Sequence, residues 1–362
     1  FLTQTSMQIG LPNPENIAPV AGYLEYHRKG AAPMTLGVLQ KYIPETRDTW
    51  SYTLDNLRDS YAEVLTRQID LADIPIPSSV LTAALESEIP PLAFELMGNQ
   101  LRAAELLGQR AAELHLALAS DPDHPNFAPE EFNSFYQRSI YQYMRNQAGQ
   151  ILLLLKKQLK HLPESLHPLA KELLSHQDSL MERYKSILEQ PITTMRTRCH
   201  GNFHLEEVLY TGKDFVIVDF EGEPNRSLSE RRMKRSPLRD IAGMLQSFYY
   251  ASRAALKAEE ESGLIRSETL PLMEHWAQFF YSWASVAFLK QYLLTANNAV
   301  FIPKGRTELE VLLNAFVLEK AVYELGYELN HRSDWVEIPL QRIVQLLTGM
   351  KIAERQPATT KS

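Results

Sequence analysis

The chain has 362 residues, 44% of them hydrophobic and 22% charged, with a net charge of -7 and one cysteine. That length suits about two domains with a sizeable core, and the ordinary composition excludes a disordered or fibrous class. The acidic balance argues against a nucleic-acid partner, the lone cysteine excludes intrachain disulfides, and the longest apolar run, residues 151–155, is too short to span a bilayer.

Residues 17–26 (IAPVAGYLEY) and 34–43 (MTLGVLQKYI) are β-rich runs around a Lys29-Gly30 turn, which predicts an antiparallel pair. Two strands alone are marginal, so further sheet members are expected to cover them. Pro44 and residues 45–48 form a connector. Residues 51–72 carry Leu54, Leu57, Tyr61, Val64, Leu65 and Ile69 at helical spacing, until Pro75, Pro77 and Ser78-Ser79 intervene. Pro90-Pro91 opens a long amphipathic helix to about Ala119. After a loop over 121–125, Pro129-Glu130-Glu131 is expected to start another to about His161, with 151–155 buried. Residues 166–188 read as one further helix, and Pro191 leads into the central stretch. Beyond Asp240, apolar faces predict helices over 241–255, 272–294, 308–325 and 340–350, and residues 351–362 read as a polar tail. No repeat, low-complexity tract or secretory signal is visible.

The central stretch, 198–240, gathers the polar groups. His200-Gly201-Asn202-Phe203-His204 precedes an apolar segment over 208–210, a Gly-Lys-Asp turn follows, and the run 215–218 delivers Asp219. That is a hairpin with polar side chains where its strands emerge. His200 and His204 have the spacing of a zinc-binding helix, but Gly201 between them and the lack of a third ligand speak against a zinc site. Glu221 and Glu223 suggest the paired carboxylates of a glycosidase, but Gly222 and Pro224 weaken a facing pair. No G-x-S-x-G sequence marks a serine nucleophile. Cys199 is expected to be a small buried strand residue, and the basic run 231–235 (RRMKR) a solvated loop.

Phosphoryl transfer fits more of these residues. It needs a group beside the attacking hydroxyl, a magnesium ligand five positions on, and an acid on the next strand for the same ion. Asn202, Glu207 and Asp219 have that spacing, and both carboxylates supply the oxygen ligands that magnesium prefers.

At this point the stretch 200–245 (HGNFHLEEVLYTGKDFVIVDFEGEPNRSLSERRMKRSPLRDIAGML) resembles the signature region of maltokinases, particularly those fused to trehalose synthase. Blocks at 17–26, 35–57, 108–118 and 318–340 are similar too, so the resemblance covers roughly 17–350. It implies an α+β, predominantly helical chain with the two-lobed, protein-kinase-like fold of aminoglycoside and choline kinases. Residues 1–48 would be the remnant of an N-terminal lobe, and 49–350 a helical C-terminal lobe with its catalytic hairpin at 196–224. No Gly-rich phosphate loop or Val-Ala-Ile-Lys-like strand precedes Ile17, so the chain is expected to begin inside the N-terminal lobe.

The implied activity is transfer of the ATP γ-phosphate to the anomeric hydroxyl of maltose for α-glucan synthesis, with a trehalose synthase domain as partner; the single cysteine is what points to the cytoplasm. ATP and Mg2+ are the implied cofactors. Asp219 matches the magnesium-binding aspartate, and Glu207 falls where the family has a glutamine ligand. Asp240, after Arg239, matches a buried acid bracing the catalytic loop. Gln40, Lys41 and Tyr42 fall on the hinge that contacts adenine. Lys320, Tyr323, Glu324 and Tyr327, with His204 and Glu221, fall on the sugar-binding side. One departure touches the chemistry: Asn202 stands where the family has its catalytic aspartate. An amide orients a hydroxyl but takes no proton, leaving His200 or His204 as other catalytic candidates. A maltose-binding pseudokinase is therefore the alternative.

Overall fold

The computed structural model describes residues 16–30, 33–44, 46–67 and 73–349, so the expected tail over 351–362 lies outside the described residues. The chain opens with a two-stranded antiparallel ribbon, β1 (Val20–Tyr26) and β2 (Met34–Gln40). The ribbon leaves Tyr23, Leu24, Leu36, Val38 and Leu39 exposed. β3 (Arg47–Asp48) follows, and Asp48 caps α1 (Thr49–Leu65) by accepting from the Ser51 amide at 2.7 Å. The helix expected to continue to residue 72 thus stops near Thr66, and 68–72 lie outside the described residues.

Ser79, whose hydroxyl accepts from the Thr82 amide, starts a short helix that the sequence reading missed, α2 (Val80–Glu86). α3 (Pro91–Leu118) matches its expected bounds and kinks at Met97. The next helix begins later than expected. Residues 130–131 form β4, paired with β5 (Met195–Arg196), and Asn133 caps α4 (Ser134–Gln158). Pairing with a strand distant in sequence, Glu130 with Arg196 and Glu131 with Met195, outweighed the Pro-Glu-Glu signal. Likewise 166–188 is two helices, α5 (His167–Ser175) and α6 (Gln177–Lys185), broken at His176. Of the run 151–155, Ile151, Leu152 and Leu155 are buried while Leu153 faces out.

β6 (Val208–Tyr210) and β7 (Phe215–Ile217) form the expected hairpin, to which β3 adds a third strand. The short α7 (Leu228–Arg231) precedes four long helices: α8 (Leu238–Glu261), α9 (Leu270–Thr295), α10 (Arg306–His331) and α11 (Glu337–Thr348). α9 is apolar nearly all round and runs through the core, burying Trp276, Phe279, Phe280 and Phe288. Each such side chain contributes about 1.5–3 kcal/mol on burial. No helix among the described residues is long and apolar enough to cross a membrane.

Long-range ties fix the hairpin against these helices. Thr49 Oγ1 donates to Val208 O at 2.7 Å, Asn16 Nδ2 donates to Phe215 O at 2.8 Å, and Arg110 on α3 forks onto Asp214 at 2.8 and 2.7 Å. The loop before β6 lies directly on α8. A Cβ on Gly243 would stand 2.7 Å from Phe203 O, whereas one on Gly149 would meet nothing within 4 Å. Gly243→Ala is therefore expected to cost about 1–3 kcal/mol by forcing the loop off the helix. Gly149→Ala, at an open helix position, should stabilise by about 0.5–1 kcal/mol. Urea denaturation of both variants checks the pair.

Candidate functional site

The site is built on the loop from His200 to Glu207. Gly201 adopts φ 88°, a left-handed turn suited to glycine. His204 is extended, and a 3-10 turn over Leu205–Glu207 leads into β6. The loop is braced from below by Asp240 at the start of α8. The Asp240 carboxylate accepts the His200 amide at 2.7 Å, the Gly201 amide at 3.0 Å and His115 Nε2 at 3.1 Å. The other ring nitrogen of His115 meets the Tyr292 hydroxyl at 3.0 Å. Burial alone would raise the Asp240 carboxyl, but His115, His200 and the Gly201 amide hold it below the usual carboxylate range.

His200 is itself buried. Its Nε2 donates to Val218 O at 2.7 Å, which leaves Nδ1 facing the Asn202 amide at 3.4 Å. The ring therefore ties the loop to the end of β7 in its neutral form. Burial lowers its affinity for a proton, against the pull of Asp240. A histidine that resists protonation when folded contributes full stability above its unfolded value of about 6.5, and that stability falls as pH drops below it. Melting temperature should fall from pH 7.5 to 5.5, with a shallower slope in His200→Gln; an unchanged slope would discount His200 as the cause.

Asn202, Glu207 and Asp219 are brought together. Asn202 Nδ2 donates to Glu207 Oε1 at 3.2 Å, and His204 Nε2 stands 3.3 Å from the same oxygen. The Val218 amide donates to Glu207 O at 3.0 Å, which sets Glu207 beside Asp219. Burial opposes ionisation of Glu207, but His204, His200 and a contact with Asp219 hold its pKa down. Asp219 sits at φ 57°, a conformation non-glycine residues rarely adopt. Strain of this kind, about 1–3 kcal/mol, persists where surrounding structure enforces it, often at a working site. No group of three or more His, Cys, Asp or Glu side chains among the described residues has the arrangement of a metal centre. Two facing carboxylates do suit magnesium, which takes one or two from protein and completes its shell with phosphates and water.

Beside the loop lies a cleft lined by Asn202, Glu223, Arg235, Glu319, Lys320 and Tyr323. Glu319 accepts from Arg239 at 3.0 Å on both oxygens, and Arg226 bonds Glu223 and donates to the Tyr143 hydroxyl at 2.8 Å. Burial disfavours charge on Glu223, but Lys320 and Arg226 hold it ionised. Burial and Glu223 push the Tyr323 phenol well up. Tyr323 also accepts from Asn225 Nδ2 at 3.3 Å, and Lys320 lies over its ring at 4.9 Å.

Other sequence candidates fall elsewhere. Glu221 is exposed and does not line the cleft, so with Glu223 held by Arg226 the two form no facing pair. Glu324, half-buried, follows Tyr323 outside the cleft lining, its carboxyl raised by burial, and accepts from Gln246 at 2.8 Å. Tyr327 stacks on His331 at 4.4 Å, away from the cleft lining. Gln40 ends β2, the Lys41 amide donates to Pro19 O at 2.8 Å, and Tyr42 is 82% exposed; none lines the cleft. Cys199 lies just beyond the short strand and bridge at 195–197, its thiol raised by burial and turned to Thr197 O and Arg235 O. The sequence reading missed His115, Tyr143, Arg226 and Glu319. A histidine inside the apolar run 111–118 was the one available signal.

No protein-family model matches the chain. Over 149 residues it is 27% identical to the glucosamine kinase of Mycolicibacterium smegmatis, a stretch covering 41% of this chain and 34% of that protein. The chain is thus matched to about one-third of that relative's length. A solved glucosamine kinase structure, crystal form B, superposes with a TM-score of 0.65 at 19% identity, covering 95% of this chain and 69% of the other. Glucosamine kinase in complex with glucosamine, ADP and inorganic phosphate gives 0.64 at 18%, covering 96% and 67%. The chain has the kinase-like fold of these proteins.

Proposed function

We propose that the chain carries the acceptor lobe of an ATP-dependent sugar kinase, transferring the γ-phosphoryl group to a sugar hydroxyl. The observation that carries this reading is the meeting of Asn202, Glu207 and Asp219 on a loop braced by Asp240. Glu207 and Asp219 would hold Mg2+, which when bound neutralises charge on the phosphates. Asn202 orients the attacking hydroxyl through its amide but takes no proton, so turnover rests on positioning and charge stabilisation. His204, held by Glu207, is the nearby group able to accept a proton. Arg239 and Asp240 are positioning residues, one holding Glu319 and the other the loop. Gln40, Lys41 and Tyr42 form the adenine hinge in this reading. The apolar ribbon β1–β2, left exposed on both faces among the described residues, belongs to a nucleotide lobe with further strands.

The sugar lies in the cleft against Glu223, Lys320 and Tyr323, with Glu324 next to Tyr323 outside the lining. Maltose is the first acceptor, on the resemblance to maltokinases, which also points to a trehalose synthase domain as partner. Glucosamine is the second, favoured by the glucosamine kinase relative. Incubating the full protein with ATP, Mg2+ and either sugar, and following sugar phosphate by 31P NMR, is the test. Product from neither sugar, with the protein folded, defeats the kinase reading. Calorimetric sugar binding without turnover would instead identify a pseudokinase, the alternative that Asn202 motivates.

A further inference from the structure

The basic run 231–235 is only in part the solvated loop its composition suggests: Arg232 and Met233 are exposed. Lys234 is buried, and Arg231 and Arg235 are half-buried. The run packs against the segment leading to the site, where Thr197 and Arg235 exchange backbone hydrogen bonds of 2.8 Å. Behind this bridge is a separate pocket of about 260 Å³, lined by Glu130, Arg196, Arg198, Arg232, Met233 and Lys234 among others. Four cations face one carboxylate, and that carboxylate is already shared: Glu130 binds Arg196 at 2.7 Å and Lys234 at 2.9 Å.

Arg198 and Arg232 therefore have no counter-ion among the described residues. Arg198 is held in place by neutral groups, its Nε donating to Asn126 O at 3.2 Å and its Nη1 to Arg232 O at 2.8 Å. Carbonyls orient a guanidinium but do not neutralise it. Burial and the neighbouring Arg232 both weigh against its charge. Arg196 is aligned by stacking on Tyr136 at 4.6 Å. Arg198, held by carbonyls and without an acid, beside the unpaired Arg232, supplies the charged donors that receive a tetrahedral oxyanion.

We propose that this pocket binds a phosphate dianion, inorganic or borne on a small metabolite, at a site distinct from the Asn202–Glu207–Asp219 cluster. Such an anion bridges Arg198 to Arg232 and fastens the 231–235 segment to the chain four residues before Asn202. Met233 lines both this pocket and the cleft, so occupancy bears on the cleft wall. The proposal does not depend on the kinase reading.

The test is calorimetric titration and thermal melting of the full protein with inorganic phosphate, against sodium chloride at matched ionic strength. Arms with glucose 6-phosphate and ADP distinguish the source of the phosphate. Phosphate is expected to raise the melting temperature beyond the chloride control. Arg198→Gln should weaken its binding about tenfold to a hundredfold, the loss of one or two charge-assisted hydrogen bonds. Arg232→Gln, at an exposed side chain whose loss should not affect folding, should do the same. An equal shift in wild type and Arg232→Gln, or no shift beyond chloride, overturns the proposal.

Discussion

Asp240→Ala is expected to lower stability by about 3–5 kcal/mol and to release the 200–207 loop. The carboxylate is 3% exposed and serves the His200 and Gly201 amides and His115 Nε2 together. Alanine leaves the His200 amide and His115 Nε2 buried without an acceptor and the Gly201 amide to solvent, and each buried orphan costs about 1–3 kcal/mol. Asp240→Asn keeps one accepting oxygen but turns an amide N–H toward a donor, so its cost should be intermediate. Because the folded pKa is depressed, the contribution of Asp240 is present above about pH 4 and lost only in stronger acid. Urea denaturation gives the stability, and amide hydrogen exchange at His200 and Gly201 gives the local effect. A loss under about 1 kcal/mol with both amides still protected would falsify the bracing role.

Asn202→Asp is the second large effect, and it acts in opposite directions on stability and turnover. Asn202 Nδ2 now donates to Glu207 Oε1 at 3.2 Å. Aspartate replaces that hydrogen bond with a like-charge contact, next to Asp219, in a half-buried setting. Without a divalent cation the variant should melt lower than wild type; with Mg2+ the gap should close, since the ion neutralises the added carboxylate. Under the proposed function, a carboxylate here restores general-base help, which is worth about 10²- to 10⁴-fold in rate. Sugar phosphate formation with and without Mg2+ reads one effect, and thermal melting reads the other. A magnesium-independent melting temperature in the variant would remove Glu207 and Asp219 as metal ligands.

The legible part of the site was the part written locally. His200, Asn202, Glu207 and Asp219 lie on the segments flanking one short hairpin, whose turn and strands bring its two ends together. Asp240 was legible through its resemblance block. The braces were not: His115 meets Asp240 across 125 positions, Glu319 meets Arg239 across 80, and Arg226 meets Tyr143 across 83. No local pattern encodes such a meeting. The helix bounds tell the same story. Pro90-Pro91 and the ring of apolar residues in α9 placed those helices well, because steric and burial signals act within the segment. The Pro129-Glu130-Glu131 signal failed because residues 130–131 pair with 195–196, and backbone hydrogen bonds to a distant strand override a start signal.

By itself, then, the amino-acid sequence determined a mostly helical chain with a polar hairpin, and which oxygen and nitrogen groups that hairpin presents. Side-chain chemistry and short-range periodicity suffice for that. Only the tertiary structure decided that His115 joins the two loop amides on Asp240, that Glu223 rather than Glu221 faces the cleft, and that Arg198 meets the basic run through the Arg232 carbonyl. Those outcomes depend on which charges lose their water and which partners replace it, and that is fixed when distant helices pack.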